Sequence, residues 1–164
     1  MPLKENDIQI YSFTEGSVVF PKEPILRITA KIPLLFLLET PILNMINHES
    51  LIATKASRIV EASKNKSIIE FGLRRAHGFD AGINGAKAAY IGGCLGTSNM
   101  YTGKKYHIPI FGTCDHAWVM MFNNEYEAFE TFAEKNENNV ILIIDTYDTI
   151  KSGIVNAIKV FNKI

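Results

Sequence analysis

Cysteine is scarce in this chain, and neither sign of charge is in surplus. Cys94 and Cys114 are the two cysteines, and they form no Cys-x-x-Cys pair. Neither a disulfide framework nor a zinc clip follows from them. Seventeen Lys and Arg balance seventeen Asp and Glu, which argues against the strongly basic footprint of a nucleic-acid binder without excluding a local charged patch. Long apolar runs are missing too. The most hydrophobic stretch, 32–38, contains Pro33 and stops at Glu39, well short of the ~18 residues of a membrane span. The opening Met-Pro-Leu-Lys-Glu-Asn-Asp lacks the basic-then-apolar order of a secretory signal. The expectation is a reduced, cytoplasmic protein with no membrane or nucleic-acid partner. Gly-x-Gly-x-x-Gly and the Walker phosphate loop are also absent. That argues against a Rossmann dehydrogenase or an ordinary P-loop enzyme, so any nucleotide binds by another arrangement.

What is present suits a folded α/β protein. Of 164 residues, 47% are hydrophobic and 21% charged, and a chain of this length buries roughly 70% of its unfolded surface without staples. Residues 8–12, 17–20 and 25–30 read as short strands, punctuated by Glu15-Gly16, Pro21 and Pro24. Pro33 suits a helix start, and Pro41 predicts a kink or a second helix. Beyond it Ile42, Ile46, Ala53, Ala56 and Val60 recur at helical spacing, ending near Lys64-Asn65.

From Ser67 the pattern alternates between strand and helix. Strands are expected at 68–71, 96–98, 108–113 and 140–144, the last an apolar run of the kind buried on both faces. Helices are expected at 78–91, 99–106 and 125–135, then in a closing segment with Ile150, Ile154, Ile158 and Phe161 on one stripe. Four βα units in succession imply parallel strands and right-handed crossovers. Eight units would close a barrel, and four leave it open. The expected fold is a small N-terminal α+β element over 1–66, then the first half of an incomplete TIM-like barrel over 67–164.

In parallel α/β folds, ligands gather at the carboxyl ends of strands. Four polar segments stand there: Phe71-Gly72-Leu73-Arg74-Arg75, Gly96-Thr97-Ser98-Asn99, Gly112-Thr113-Cys114-Asp115-His116 and Asp145-Thr146-Tyr147-Asp148-Thr149. Arg74 and Arg75 offer forked donors for a phosphate or carboxylate, or else form surface ion pairs. Asp145 and Asp148 suit hydrated magnesium or sugar hydroxyls, and Asp148 equally suits a helix cap. His116 is the strongest single candidate, as a proton carrier or a phosphoryl acceptor. Its alternative is a satisfied structural histidine. His48, His77 and His107 lack such a setting. A Cys114–His116 thiol-base pair has no oxyanion motif beside it. Phe129 and Phe132 fit a core better than a stacking platform, and Trp118 fits either. The residues alone reach a phosphate- or carboxylate-handling α/β enzyme.

Taken together, the segments resemble nicotinate phosphoribosyltransferase. The resemblance runs through Glu-Gly-Ser-Val-Val-Phe-Pro-Lys-Glu-Pro from Glu15, Ser-Leu-Ile-Ala-Thr-Lys-Ala from Ser50 and Glu-Phe-Gly-Leu-Arg-Arg-Ala from Glu70. It continues with Ala-Ala-Tyr-Ile-Gly-Gly from Ala88, Gly-Thr-Ser-Asn from Gly96, Gly-Thr-Cys-Asp-His-Ala-Trp-Val from Gly112 and Asp-Thr-Tyr-Asp-Thr from Asp145. It implies an enzyme of NAD salvage that joins nicotinate to phosphoribosyl pyrophosphate, coupled to ATP through a phosphorylated histidine and assisted by Mg2+. His116 falls on that histidine. Thr113 matches a nicotinate-contacting threonine, Phe71 and Arg74 match the stacking aromatic and its neighbouring arginine, and Asp145 lies toward the phosphoribosyl substrate. Ser98 stands where nicotinamide-using relatives carry aspartate, which favours the acid over nicotinamide.

The departures matter as well. Cys94-Leu95 and Cys114-Asp115 differ from the commoner family residues. Family members are much longer, with a tyrosine-bearing N-terminal segment that reaches a partner subunit and later barrel strands carrying an arginine and phosphate loops. The resemblance therefore implies a central fragment, in a homo-oligomer or completed by another chain. The alternatives are a non-catalytic remnant and, more distantly, nicotinamide phosphoribosyltransferase.

Overall fold

The computed structural model describes residues 8–64, 66–136 and 140–163. By compactness the chain separates into two units, Met1–Ile110 and Phe111–Ile164. The described strands all lie in the first unit, beside helices, and the second unit is helical, so the chain as a whole is mixed α/β.

The first unit opens with an antiparallel hairpin of β1 (Ile8–Ser12) and β2 (Leu26–Ala30), in which Ile10 faces Ile28. Residues 17–20, expected to be a strand, instead belong to the long connection. Val18 and Phe20 are exposed, and the Phe20 amide and carbonyl both bond to Glu23 in a local turn. Their composition suits a strand, but no neighbouring strand among the described residues takes up their backbone groups.

Helix α1 (Ile32–Ala62) begins at Lys31 with Pro33 in its first turn, as the sequence predicts. It runs without interruption through Pro41, so the second helix expected there does not occur. Pro41 has no N–H, so the Leu37 carbonyl four residues back loses its helical donor. The helix stops at Ala62, with Ser63 as its cap and Lys64 at φ 49°. Asn65, the other residue of the expected end, lies outside the described residues. Ile52, Ala56 and Val60 pack with Ala89 and Cys94, which joins α1 to α2 (Phe79–Ile91). The approach is close: a Cβ on Gly92 would stand 2.5 Å from the Ala53 carbonyl oxygen and 2.9 Å from the Ala56 Cβ.

Strands β3 (Ile69–Glu70) and β4 (Gly96–Thr97) pair in parallel. A right-handed 3-10 turn, Leu73–Arg75, follows β3. Helix α3 (Met100–Tyr106) follows β4, capped by the Asn99 side chain. The third expected strand, 108–113, is reduced to a single parallel bridge between Ile110 and Thr97. Pro109 accepts the Thr97 amide through its carbonyl but has no N–H to give in return.

The second unit holds α4 (His116–Met120), which the sequence reading did not anticipate, α5 (Glu125–Lys135), a π-turn Thr149–Gly153 and α6 (Ile154–Phe161). Its core is Val119, Ala128, Phe129, Ala133 and Val160. Phe129 is thus core, and Trp118 and Phe132 meet edge-on with ring centroids 6.0 Å apart. Residues 140–144 form no strand and are half-buried. The Cys114 amide donates to the Ile141 carbonyl at 3.2 Å, but the Ile143 amide donates to Cys114 Sγ at 3.1 Å. A thiol therefore stands where a ladder needs a carbonyl. The expected α6 stripe also departs, since Ile150, Ile158 and Phe161 are exposed while Val160 is buried. The π-turn adds a residue ahead of α6 and shifts its phase.

Candidate functional site

In the first unit the strand ends are tied by Glu70. Its Oε1 accepts the Gly72 amide, and its Oε2 accepts the Thr97 hydroxyl at 2.6 Å. The Glu70 carbonyl accepts the Ser98 amide at 2.9 Å. Thr97 is fully buried, and its Oγ1 accepts the Asn99 amide at 3.0 Å. Asn99 Oδ1 accepts the Thr102 amide at 3.1 Å and so caps α3. On this frame Phe71 and Arg74 are exposed and Ser98 is half-buried. Arg75 is exposed beside Arg74. Thr97 and Asn99 thus act as structure, whereas Phe71 offers an open aromatic face and Arg74 an open guanidinium.

In the second unit His116 opens α4 and is exposed. Its Nδ1 lies 3.1 Å from the Thr146 hydroxyl, which donates or accepts according to the tautomer. Nε2 lies 3.8 Å from Asp145 Oδ1, beyond hydrogen-bond range. Thr146 therefore orients the ring while Asp145 sets a negative charge beside its other nitrogen. Asp115, adjacent in sequence, is committed elsewhere: its Oδ1 accepts the Trp118 amide at 2.7 Å and caps α4. Asp148 is likewise a cap, accepting the Ile150 amide at 3.1 Å and the Lys151 amide at 2.8 Å. Gly153 packs so closely on Ile144 that a Cβ there would overlap the Ile144 backbone. That contact and the Asp148 cap fix the loop carrying Asp145 and Thr146. Thr113 is exposed just before buried Cys114.

The other candidates resolve plainly. Burial pushes the Cys114 thiol up, partly offset by the Ile143 amide, so its setting suits an inert thiol rather than a nucleophile. Burial, then the Glu70 charge, pushes the Cys94 thiol up as well. His48 Nε2 bonds the Ala81 carbonyl at 3.2 Å, His107 ends α3 at φ 55°, and His77 is exposed. Trp118 donates its indole N–H to the Ala128 carbonyl at 3.0 Å. No group of three or more His, Cys, Asp or Glu among the described residues stands together as a metal cage. The residues without an individual sequence-based role are Glu70 and Thr146. Both lie inside the quoted motifs, but their partners come from other strand ends and are invisible in one-dimensional spacing.

No family model matches the chain. A nicotinate phosphoribosyltransferase of Bacillus subtilis, however, is 48% identical over 150 residues, which cover 92% of this chain and 30% of the relative. The chain is homologous to a segment of nicotinate phosphoribosyltransferase. A nicotinate phosphoribosyltransferase of Mycobacterium tuberculosis is 42% identical over 142 residues, covering 87% of the chain and 30% of that relative. Among solved structures, human nicotinic acid phosphoribosyltransferase superposes with a TM-score of 0.81 at 26% identity, over 92% of this chain and 39% of that one. A nicotinate-nucleotide pyrophosphorylase from Pyrococcus furiosus superposes with a TM-score of 0.86 at 32% identity, over 96% and 41%. The chain thus spans about 30% of the length of the first curated relatives it matches. No helix among the described residues is long and apolar enough to cross a membrane.

Proposed function

We propose that this chain supplies the base-binding and histidine-bearing part of a nicotinate phosphoribosyltransferase, which makes nicotinate mononucleotide and pyrophosphate for NAD salvage with ATP hydrolysis coupled to transfer. The 48% identity over 92% of the chain carries this reading. Residues 67–164 serve as the first half of an α/β barrel behind an N-terminal α+β element over 1–66, in a cytoplasmic homo-oligomer or with a complementary chain.

The chemistry requires a flat apolar surface for the pyridine ring, a cation for its carboxylate and a stabiliser for the oxocarbenium-like charge formed as pyrophosphate leaves. Exposed Phe71 and Arg74 suit the first two. Half-buried Ser98 leaves nicotinate's carboxylate free of like charge, and exposed Thr113 in the second unit offers an open hydroxyl. Asp145 has both oxygens outside any cap and suits the phosphoribosyl side. Mg2+ enters with the phosphates of phosphoribosyl pyrophosphate and ATP. It keeps most of its waters and needs one or two protein carboxylates, which accords with exposed Asp145. Unprotonated His116 Nε2 attacks the γ-phosphorus of ATP as the bond to the bridging oxygen breaks and ADP leaves, while Nδ1–H donates to the Thr146 hydroxyl.

Grafting these 164 residues into the matching segment of the Bacillus subtilis relative tests the reading. The chimera should form nicotinate mononucleotide, with stimulation by ATP. His116→Ala should abolish acid-labile labelling by γ-phosphate and the stimulation, while some ATP-independent transfer survives, because positioning of base and sugar contributes separately. Undiminished histidine labelling in His116→Ala removes that role. An inactive chimera of correct fold removes the reading and leaves the non-catalytic remnant.

A further inference from the structure

We propose that Glu70 is a positioning residue for the base, a single carboxylate that holds the two loops bearing Phe71, Arg74 and Ser98 at a fixed separation; the assignment of those three rests on the function proposed above. Strands β3 and β4 are two residues each, and so short a ladder leaves the loops after them weakly fixed. The carboxylate makes up the difference. Oε1 takes the amide of Gly72, which opens the turn carrying Arg74, and Oε2 takes the hydroxyl of Thr97, next to Ser98. Bonds to an ionised acceptor are about twice as strong as neutral ones. Both oxygens are engaged within the chain, so Glu70 acts through its neighbours and not on substrate.

The backbone is shaped around this carboxylate. Gly72 sits at φ −92°, ψ −6°, open to any residue, yet a Cβ there would stand 2.8 Å from Glu70 Oε1. A Cβ at 72 would therefore push the carboxylate, the flexible end of Glu70, off the Gly72 amide, while the backbone conformation itself accepts any residue. Thr97 completes the device: its oxygen accepts the Asn99 amide, which leaves its hydrogen for Glu70. The anchor thus extends through Asn99 into the first turn of α3.

Two measurements test the inference, the first independent of turnover. Amide exchange of Gly72 in this chain should accelerate roughly tenfold in Glu70→Ala, the loss of about one charge-assisted bond. Exchange of Asn99 should accelerate by a smaller factor, because its acceptor, the Thr97 hydroxyl, loses the Glu70 carboxylate that orients it. Glu70→Gln, which keeps one acceptor and one donor, should fall between Glu70→Ala and wild type, and amides in 111–164 should not change. Gly72→Ala should reproduce the Asn99 effect by displacing the carboxylate. In the active chimera, Glu70→Ala and Gly72→Ala should each raise the KM for nicotinate about tenfold. The KM for phosphoribosyl pyrophosphate and labelling of His116 should stay within about twofold of wild type. Unchanged Gly72 and Asn99 exchange overturns the proposal, as does equal loss of nicotinate and phosphoribosyl pyrophosphate affinity or full nicotinate affinity in Glu70→Ala. If the unsubstituted chimera makes no product, the proposed function fails while the exchange data still decide whether Glu70 anchors the loops.

Discussion

Replacing Gly92 by alanine sets two opposite effects against each other. At φ −70°, ψ 0° the position suits alanine, and removing glycine's freedom from the unfolded chain stabilises by about 0.4–1 kcal/mol. Against this, the new methyl would stand 2.5 Å from the Ala53 carbonyl oxygen and 2.9 Å from the Ala56 Cβ. Neither neighbour is a flexible side-chain end, so relief requires α1 and α2 to move apart. Overpacking of that kind costs about 1–3 kcal/mol, and rigid backbone on the far side selects the upper end. The clash wins by about 2 kcal/mol, which for a chain of this size lowers Tm by about 4–8 °C. Gly112→Ala is the control, since nothing lies within 4 Å of its added Cβ. Thermal unfolding followed by circular dichroism reads both variants. A Gly92→Ala protein as stable as wild type, beside a Gly112→Ala protein at or slightly above wild-type stability, would refute the close packing of these helices.

Ser98→Asp in the active chimera should cut kcat/KM for nicotinate by about 100-fold, because like charges brought together in a desolvated site cost a few kcal/mol. The loss with nicotinamide should be smaller, and equal losses would show that Ser98 does not face the ring substituent. Phe129, fully buried at the centre of the second unit, should cost about 3–5 kcal/mol on replacement by alanine; a cost under about 1 kcal/mol in urea titrations would contradict that core. Stability should fall as pH rises from about 8 to about 10. The thiols of Cys94 and Cys114 are raised by burial, and Lys87 is raised by its bond to Glu15, so the folded state binds more protons than the unfolded one there. A urea midpoint that holds or climbs across that window would reverse the sign.

Elements set by local chemistry were legible in the sequence. Asn99 and Asn124 cap α3 and α5, and Gly92 closes α2, so those boundaries follow from side chains within a turn of each end. Elements that depend on distant partners were not. Residues 17–20 and 140–144 have strand composition, but composition does not supply a neighbouring ladder. The Cys114 thiol replaces a carbonyl beside 140–144, and Pro109 removes an amide from the third strand position. Helix α4 had a local signal in Asp115, whose cap on Trp118 spans three residues, but that segment invited a chemical reading first. At the candidate site the same division holds. His116 stood out by position, while Thr146 and Glu70 acquire meaning only when strand ends far apart in sequence are brought together.

The missing rung at Pro41 gives α1 an uneven character along its length. Its second half is anchored, since Ile52, Ala56 and Val60 pack with Ala89 and Cys94. Its first half exposes Ile32, Phe36 and Leu37 and adjoins the carbonyl that Pro41 leaves without a helical donor. Local opening follows the least anchored segment, so residues 32–40 can fray as a group while 42–62 stay wound. One helix unbroken in outline thus carries two segments of unequal anchorage, divided at the proline.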